Sequence, residues 1–167
     1  MLKANGAGTA QWVRVLHDTS GLLSTVYLGP KPGGGCLVSG YVKGSLYLGA
    51  GTATPLLTAA ALGSGFLSSF DAAGAHQWSN VVGVSGPSQY SFLNSVTINS
   101  TAADANGECY VTGSAYPPFQ LGSQTVLNGY FLAKYDPSGA LVWVRDALPT
   151  PGEAPQPVFF WPRTQTA

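Results

Sequence analysis

The sequence predicts an all-β fold, on the basis of a phrase that recurs about every 65 residues and a composition rich in turn-forming residues. The 167 residues include 22 glycines and 12 prolines. Short apolar runs bounded by such residues, without long helical periodicity, are typical of many short strands joined by tight turns. A chain of this length and 45% hydrophobic content is expected to form one domain with one core.

The recurring phrase fits the pattern [DN]-x-x-G-x-x-x-W and occurs as NGAGTAQW, DAAGAHQW and DPSGALVW. Its first position is an acid or asparagine, its fourth is glycine and its last is tryptophan. In chain order these residues are Asn5, Gly8 and Trp12, then Asp71, Gly74 and Trp78, then Asp136, Gly139 and Trp143. A short alternation of apolar and polar residues precedes each copy, so each phrase predicts a strand, a turn and a second strand.

The residues of this phrase have structural explanations. A side-chain oxygen at the first position accepts hydrogen bonds from the amides that follow, and the glycine takes the left-handed position of the turn. Asn5 can serve such a turn but cannot replace a catalytic carboxylate, so we interpret Asp71 and Asp136 as turn residues. The tryptophan lies in the strand that leaves the turn, where it is expected to pack between sheets.

A second repeated phrase divides the chain into units. GCLVSGYVKGSLYLG matches ECYVTGSAYPPFQLG and aligns Cys36 with Cys109. Each full unit has four strand-like runs, which are STVYLG, GCLVSGYV, GFLSSFD and AHQWSNVV in the first and SVTINS, ECYVTGSA, GYFLAKYD and ALVWVRD in the second. Four antiparallel strands per repeat predict the blade of a β-propeller.

The units predict about two and a half blades in residues 1–147. They comprise a terminal hairpin (1–16), one blade (22–84) and a second blade (92–147), followed by a proline-rich extended tail (148–167). Propellers typically close with 4 to 8 blades. We therefore expect a partial propeller, either a fragment of a longer protein or an arc that self-associates to complete the ring.

The last unit resembles the bacterial β-propeller repeats called SBBP repeats, through AADANGECYVTG, QLG and FLAKYDPSGALVW. The middle unit is similar more loosely, and the resemblance covers about residues 1–147. It implies a propeller fold and a secreted or cell-surface location, without a shared catalytic set. The N-terminus lacks the apolar segment of a signal peptide, so the expected location rests on the resemblance alone.

Composition excludes several partners. Charged residues make up 8% of the chain, seven basic and seven acidic, and provide no basic stripe for a phosphate backbone. We therefore expect no nucleic acid partner. The longest apolar runs are far shorter than the roughly 20 residues that span a bilayer, so no membrane span is expected. Cys36 and Cys109 are too few for a disulfide framework or a zinc site, and we expect no metal or cofactor.

Two further sets of residues could carry chemistry. Asp104, Asn106 and Glu108 have oxygen atoms at alternate positions, as at the start of a calcium loop, but the twelfth residue is Ala115 instead of glutamate, which favours a turn. His76 lies near Asp71 and could join a serine in a catalytic triad. No G-x-S-x-G elbow occurs, and we assign no catalytic residue.

The sequence thus predicts a non-enzymatic structural or binding module that contacts protein or glycan through variable loops, residues 52–65 and 116–129. Glycan binding would use Tyr41, Tyr47 and Tyr116 as stacking platforms. One alternative is a propeller hydrolase or lyase that acts on polysaccharide, which needs two carboxylates, or His76 with a carboxylate, converging in a pocket. The other is a truncated gene product without independent activity.

Overall fold

A computed structural model describes residues 1–49, 53–59, 63–85, 96–115, 118–127 and 129–146. Within these ranges the chain forms β-strands and one short 3₁₀ turn, Pro32–Gly34. The strands are β1 (Leu2–Ala4), β2 (Ala10–Val13), β3 (Leu16–Asp18), β4 (Ser24–Pro30), β5 (Cys36–Val42), β6 (Ser45–Leu48), β7 (Leu57–Thr58), β8 (Ser64–Phe70), β9 (His76–Val82), β10 (Val84–Ser85), β11 (Thr97–Ala103), β12 (Cys109–Ser114), β13 (Phe119–Leu121), β14 (Gln124–Val126), β15 (Tyr130–Tyr135) and β16 (Leu141–Asp146). The described part of the chain contains no helix able to cross a membrane. The tail predicted over 148–167 lies outside the described residues.

Two four-stranded antiparallel sheets dominate the fold. The first sheet has the order β4-β5-β8-β9 and the second has the order β11-β12-β15-β16. The four runs predicted in each unit overlap these strands, although β11 extends three residues beyond the end of the run SVTINS. The predicted all-β, antiparallel character is therefore confirmed.

The N-terminal hairpin β1-β2 is a third copy of the hairpins β8-β9 and β15-β16. Its register pairs Lys3 with Trp12, as the other two pair Ser69 with Trp78 and Lys134 with Trp143. In all three hairpins the register shifts at the residue after that lysine or serine. Such a bulge re-aims the strand that enters the turn, so the repeated phrase folds in the same way three times.

Two small three-stranded sheets, β3-β6-β7 and β10-β13-β14, were not expected. They correct the interpretation of residues 52–65 and 116–129 as loops, because these segments contribute β7, the start of β8, β13 and β14. We call the strand pairs β6-β7 and β13-β14 the inserted hairpins. They pair with β3 and β10, the strands that follow the hairpins β1-β2 and β8-β9 in the chain. Leu46 of β6 and Phe119 of β13 occupy matching places and are completely buried, which anchors the inserts to the core.

The first sheet is buried on both faces. Leu37 and Leu67 point into a cluster shared with the second sheet, whereas Val38, Phe66 and Phe70 point into a cluster on the opposite face. Every residue of β8 is buried as a result. The first sheet is therefore the middle layer, between the second sheet and the elements of the N-terminal segment that contribute Met1 and Leu16.

The first and second sheets approach closely at β4 and β11. A methyl group built on Gly29 would lie 2.7 Å from the carbonyl oxygen of Thr101. A side chain at position 29 would therefore push the two backbones apart. This contact fixes the spacing of the sheets at the strand that begins each one.

Three buried hydroxyl groups lack a hydrogen-bond partner among the described residues: Ser39 Oγ, Thr101 Oγ1 and the Tyr135 hydroxyl. The side chain of Tyr135 is only 3% exposed. A buried hydroxyl without a partner retains its full desolvation cost. Its removal should therefore stabilise the fold.

We expect Tyr135→Phe to raise the free energy of unfolding by about 1 kcal/mol. Tyr110→Phe is the matched control, because the Tyr110 hydroxyl donates to Asp104 Oδ2 at 3.3 Å and its loss should destabilise. Urea unfolding followed by circular dichroism measures both. A loss of stability in Tyr135→Phe would contradict the expectation and would indicate a bound water on that hydroxyl.

Candidate functional site

Four turns, which begin at Asn5, Asp71, Asp104 and Asp136, share one geometry. In each, the side-chain Oδ1 accepts hydrogen bonds from the backbone amides two and four residues later, at 2.9–3.0 Å. The residue three positions later is a glycine with positive φ. In the last turn the Ser138 hydroxyl and then the Ala140 amide hold the pKa of Asp136 below its usual value. These side chains thus shape the backbone of the turns.

Both carboxylate oxygens of Asp104 have partners in the chain. Oδ1 accepts the turn amides, and Oδ2 accepts the hydroxyl of Tyr110. Burial acts to raise the pKa of Asp104, but the hydrogen bonds from the Glu108 and Asn106 amides outweigh it and the pKa is lowered. No group of three or more histidine, cysteine, aspartate or glutamate side chains within the described ranges could hold a metal ion.

The tryptophans of the first two hairpins, β1-β2 and β8-β9, each cover the turn of the next unit. Trp12 lies over Gly74, and its Nε1 donates to the Ala72 carbonyl at 2.9 Å. Trp78 repeats this arrangement over Gly139, where its Nε1 donates to the Pro137 carbonyl at 2.9 Å.

No side chain fits between ring and turn at these glycines. A methyl group built on either would lie 2.6–2.7 Å from Cδ2 of the ring. The glycine of the phrase is therefore required by the neighbouring sheet as well as by the turn.

The residue two positions after each tryptophan completes the contact. Arg14 Nε donates to the Gly74 carbonyl at 2.8 Å, and Asn80 Nδ2 donates to the Gly139 carbonyl at 2.5 Å. In the first hairpin Lys3 adds a hydrogen bond from Nζ to the Ala72 carbonyl at 3.1 Å. We call this set of contacts from one hairpin to the next turn the clasp.

A lysine, a tryptophan and an arginine at the same three places stand on the outer face of the second sheet. Lys134 pairs with Glu108 at 2.6 Å, and this hydrogen bond raises the pKa of Lys134. Trp143 meets Tyr110 edge to face at 6.3 Å between ring centroids. The Arg145 guanidinium lies 5.5 Å above the Trp143 ring. We call Lys134, Trp143 and Arg145 the outer trio.

Sequence reasoning missed the arginines and lysines of the clasp and the outer trio. A signal for them was present, since extending the repeated phrase by two residues gives WVR, WSN and WVR. Lys3 and Lys134 stand opposite the tryptophan in the strand before the turn, in MLKA and FLAKY, whereas the middle hairpin has Ser69 at this place.

A groove of about 340 Å³ is lined by residues of the N-terminal hairpin and of the first sheet. Its walls include Leu2 and Leu28, which are each 59% exposed. The lysine amines on its rim are engaged, since Lys3 Nζ donates to the Gly34 carbonyl at 2.8 Å and Lys31 Nζ donates to Ser69 Oγ at 2.5 Å. The groove therefore offers apolar surface.

The three predicted stacking tyrosines do not form one described platform. Tyr47, in β6 of a three-stranded sheet, stacks on His17 with ring centroids 5.3 Å apart and planes 17° apart. Tyr41 belongs to β5 of the first sheet and lies against Gly63. Tyr116 lies outside the described residues. The stacked pair of Tyr47 and His17 is the aromatic surface that the structure adds to the prediction.

His76 is paired with a serine instead of a carboxylate. Its Nε2 lies 2.8 Å from Ser79 Oγ, which lies 2.8 Å from Ser68 Oγ. The carboxylate of Asp71 binds the amides of its own turn and, at 3.3 Å, Nε2 of Gln77. The His76–Asp71 pairing considered from the sequence is therefore not made.

The protein is expected to become less stable as the pH is lowered, because His76 has a lowered pKa in the folded chain. Burial lowers the pKa of His76, partly offset by a backbone hydrogen bond at Trp78. The unfolded chain then binds the proton more readily than the folded chain, so stability declines as pH falls through the unfolded value near 6.5. The urea midpoint should drop between about pH 7.5 and 5.5, and less so in His76→Gln. His17→Gln controls for loss of the other histidine, and an identical decline in His76→Gln would exclude His76 as the cause.

The two cysteines are free and occupy matching positions at the start of β5 and β12. Burial raises the pKa of Cys36 and raises that of Cys109 to about 11. Because the pKa values are raised, little of either thiol is ionised to thiolate at neutral pH. Both thiols are therefore weak nucleophiles.

A scan against models of known protein families finds no match, and a search of curated proteins finds none either.

Proposed function

We propose that this chain is a non-enzymatic module of stacked β-sheets, arranged as an arc of β-propeller blades in a secreted or cell-surface repeat protein. It would present its exposed edges and inserted hairpins to glycan or protein partners. The observation that carries the proposal is the clasp, which occurs twice with tryptophan and glycine in the same roles and with Arg14 or Asn80 as the donor to the glycine carbonyl. Repetition of one inter-sheet contact is what an array of like blades requires.

The roles of the repeated residues support a scaffold. Asp71 and Asp136 have their Oδ1 atoms occupied by turn amides, and Gly74 and Gly139 are covered by tryptophans. Features that vary between units lie in the inserted hairpins, where binding residues of scaffold proteins are commonly placed. A glycan is the ligand best suited to the Tyr47–His17 stack, because stacked rings offer a flat apolar face to a sugar ring.

Glycan binding can be tested on an array with the purified chain of 167 residues. We expect binding that Tyr47→Ala abolishes and Tyr130→Ala preserves, since Tyr130 is a half-buried tyrosine of the second sheet away from this stack. Circular dichroism of both variants controls for folding. A silent array, or equal binding by both variants, would contradict a glycan site at Tyr47.

The arrangement of the sheets can be tested separately by small-angle X-ray scattering. Sheets stacked as successive blades predict the scattering profile of a single wedge-shaped arc. A profile of independent, loosely linked sheets would contradict the blade arrangement.

A further inference from the structure

Among the described residues, the Asn5–Gly8 turn has no tryptophan over it and the outer trio covers no turn, and the two lie at opposite ends of the stack of sheets. We propose that the outer trio of one chain binds the Asn5–Gly8 turn of a second copy of this chain, so that chains associate head to tail. This inference rests on the stacked-sheet arrangement proposed above. It adds a defined interface and a partner.

The outer trio is already arranged as the clasp requires. Arg145 Nη1 donates to the Val144 carbonyl at 3.0 Å, as Arg14 Nη1 donates to the Val13 carbonyl at 2.9 Å. Both guanidinium groups lie above the tryptophan two residues earlier, at 5.5 and 5.7 Å. Arg14 uses this position to reach a neighbouring turn. Arg145 holds the same position with no such turn beside it in the described part of the chain.

The Asn5–Gly8 turn is the receiving half. Gly8 has φ of 80°, close to the 74° of Gly74 and the 91° of Gly139. A methyl group built on Gly8 meets no atom within 4 Å, and Gly8 is exposed whereas its two counterparts are buried beneath tryptophans. Gly6, Ala7 and Gly8 are all exposed. Their carbonyls can therefore accept the donors that Trp143 and Arg145 carry.

An apolar surface adjoins the receiving turn. Leu2 and Val13 face each other across the N-terminal hairpin and are 59% and 54% exposed. Their counterparts in the second sheet, Ala133 and Val144, pair in the same register and are buried against the first sheet. The N-terminal hairpin therefore exposes the face that its counterpart hairpin covers with a preceding sheet.

The outer face of the second sheet can provide that cover. Leu132 shares a face with the outer trio, since it pairs with Arg145 and lies two residues before Lys134. Tyr110 pairs with Lys134 and shares this face. The face combines apolar area for Leu2 and Val13 with donors for the turn. Because the two surfaces differ, the contact is heterologous, and copies add in one direction until a ring closes.

Two variants break the contact from opposite sides. Trp143→Ala removes the ring, and Gly8→Asn places a side chain where the ring would lie. Asparagine tolerates positive φ, so the turn itself can form. The matched control is Gly21→Asn, because Gly21 has φ of 69°, follows Asp18 in a similar turn and also has no atom within 4 Å of a built methyl group.

Sedimentation velocity over a range of protein concentrations measures the association. We expect wild type and Gly21→Asn to form oligomers in a concentration-dependent way. Trp143→Ala and Gly8→Asn should weaken the association by about tenfold or more, as for a central tryptophan of an interface. Arg145→Ala, a change at an exposed side chain that leaves the fold intact, should weaken it in the same direction.

A mixture of Trp143→Ala and Gly8→Asn gives the most specific result. Trp143→Ala retains the unchanged Asn5–Gly8 turn, and Gly8→Asn retains the unchanged outer trio. The outer trio of the second variant can therefore bind the turn of the first, and a discrete heterodimer is expected. Monomeric wild type at every concentration, or a mixture that remains monomeric, overturns the proposal. The glycan array with monomeric Trp143→Ala distinguishes the two proposals, since sugar binding at Tyr47 does not need the outer trio.

Discussion

Trp78→Ala is expected to lower the free energy of unfolding by about 3 kcal/mol or more. The indole packs against the core shared by the two four-stranded sheets and lies over the Asp136–Gly139 turn. Its removal leaves the Gly139 turn and the neighbouring part of the shared core without the ring that covers them. The Pro137 carbonyl also loses the Nε1 donor. Apolar burial and hydrogen bonding are thus lost together.

Trp143→Ala is the matched control, because Trp143 holds the same place in its hairpin. The described contacts of its ring are an edge-to-face contact with Tyr110 and the Arg145 guanidinium. Its loss should cost about 1 kcal/mol at a concentration where the chain is monomeric. Urea unfolding followed by circular dichroism compares the two variants. Equal losses would show that Trp143 is covered within the chain as fully as Trp78, contrary to the proposed interface.

The strands of the two main sheets could be predicted because their signals are local. Phrases such as DPSG and DAAG indicate turns, because the aspartate accepts hydrogen bonds from nearby amides and the glycine adopts positive φ. The flanking runs indicate strands by their composition and length. Recurrence of the phrase then fixed the order of the units. The glycine and acid positions needed no knowledge of distant residues.

The small sheets and the clasp depend on residues far apart in the chain. Strand β6 pairs with β3 and β13 pairs with β10, and in each case two other strands lie between the partners in the chain. Strands β7 and β14 are too short to show the alternation of apolar and polar residues that marks a strand. Trp12 meets Gly74 and Trp78 meets Gly139, one full unit later. The sequence showed both members of each pair but not that a tryptophan covers the next glycine. Likewise it showed Tyr47 without the His17 ring that stacks on it.

Gly139→Ala is expected to destabilise the fold more than Gly8→Ala, although both glycines close the same kind of turn. Both have positive φ, 91° and 80°, so each substitution should lower the free energy of unfolding by about 1–2 kcal/mol because alanine is forced into a left-handed conformation. At position 8 the added methyl group meets open space. At position 139 it would lie 2.6 Å from Cδ2 of Trp78, and overpacking adds about 1–3 kcal/mol.

A double-mutant cycle separates these two contributions. In a Trp78→Ala background the ring that clashes with residue 139 is gone, so Gly139→Ala should cost only the left-handed penalty, close to that of Gly8→Ala. The coupling between positions 78 and 139 should therefore be favourable by about 1–3 kcal/mol. Gly8→Ala should show no coupling to Trp78→Ala, because the Asn5–Gly8 turn lies on the other side of the first sheet. If the costs of Gly139→Ala were the same in both backgrounds, the contact of Trp78 with the next turn would be refuted, and with it the clasp on which the blade arrangement rests.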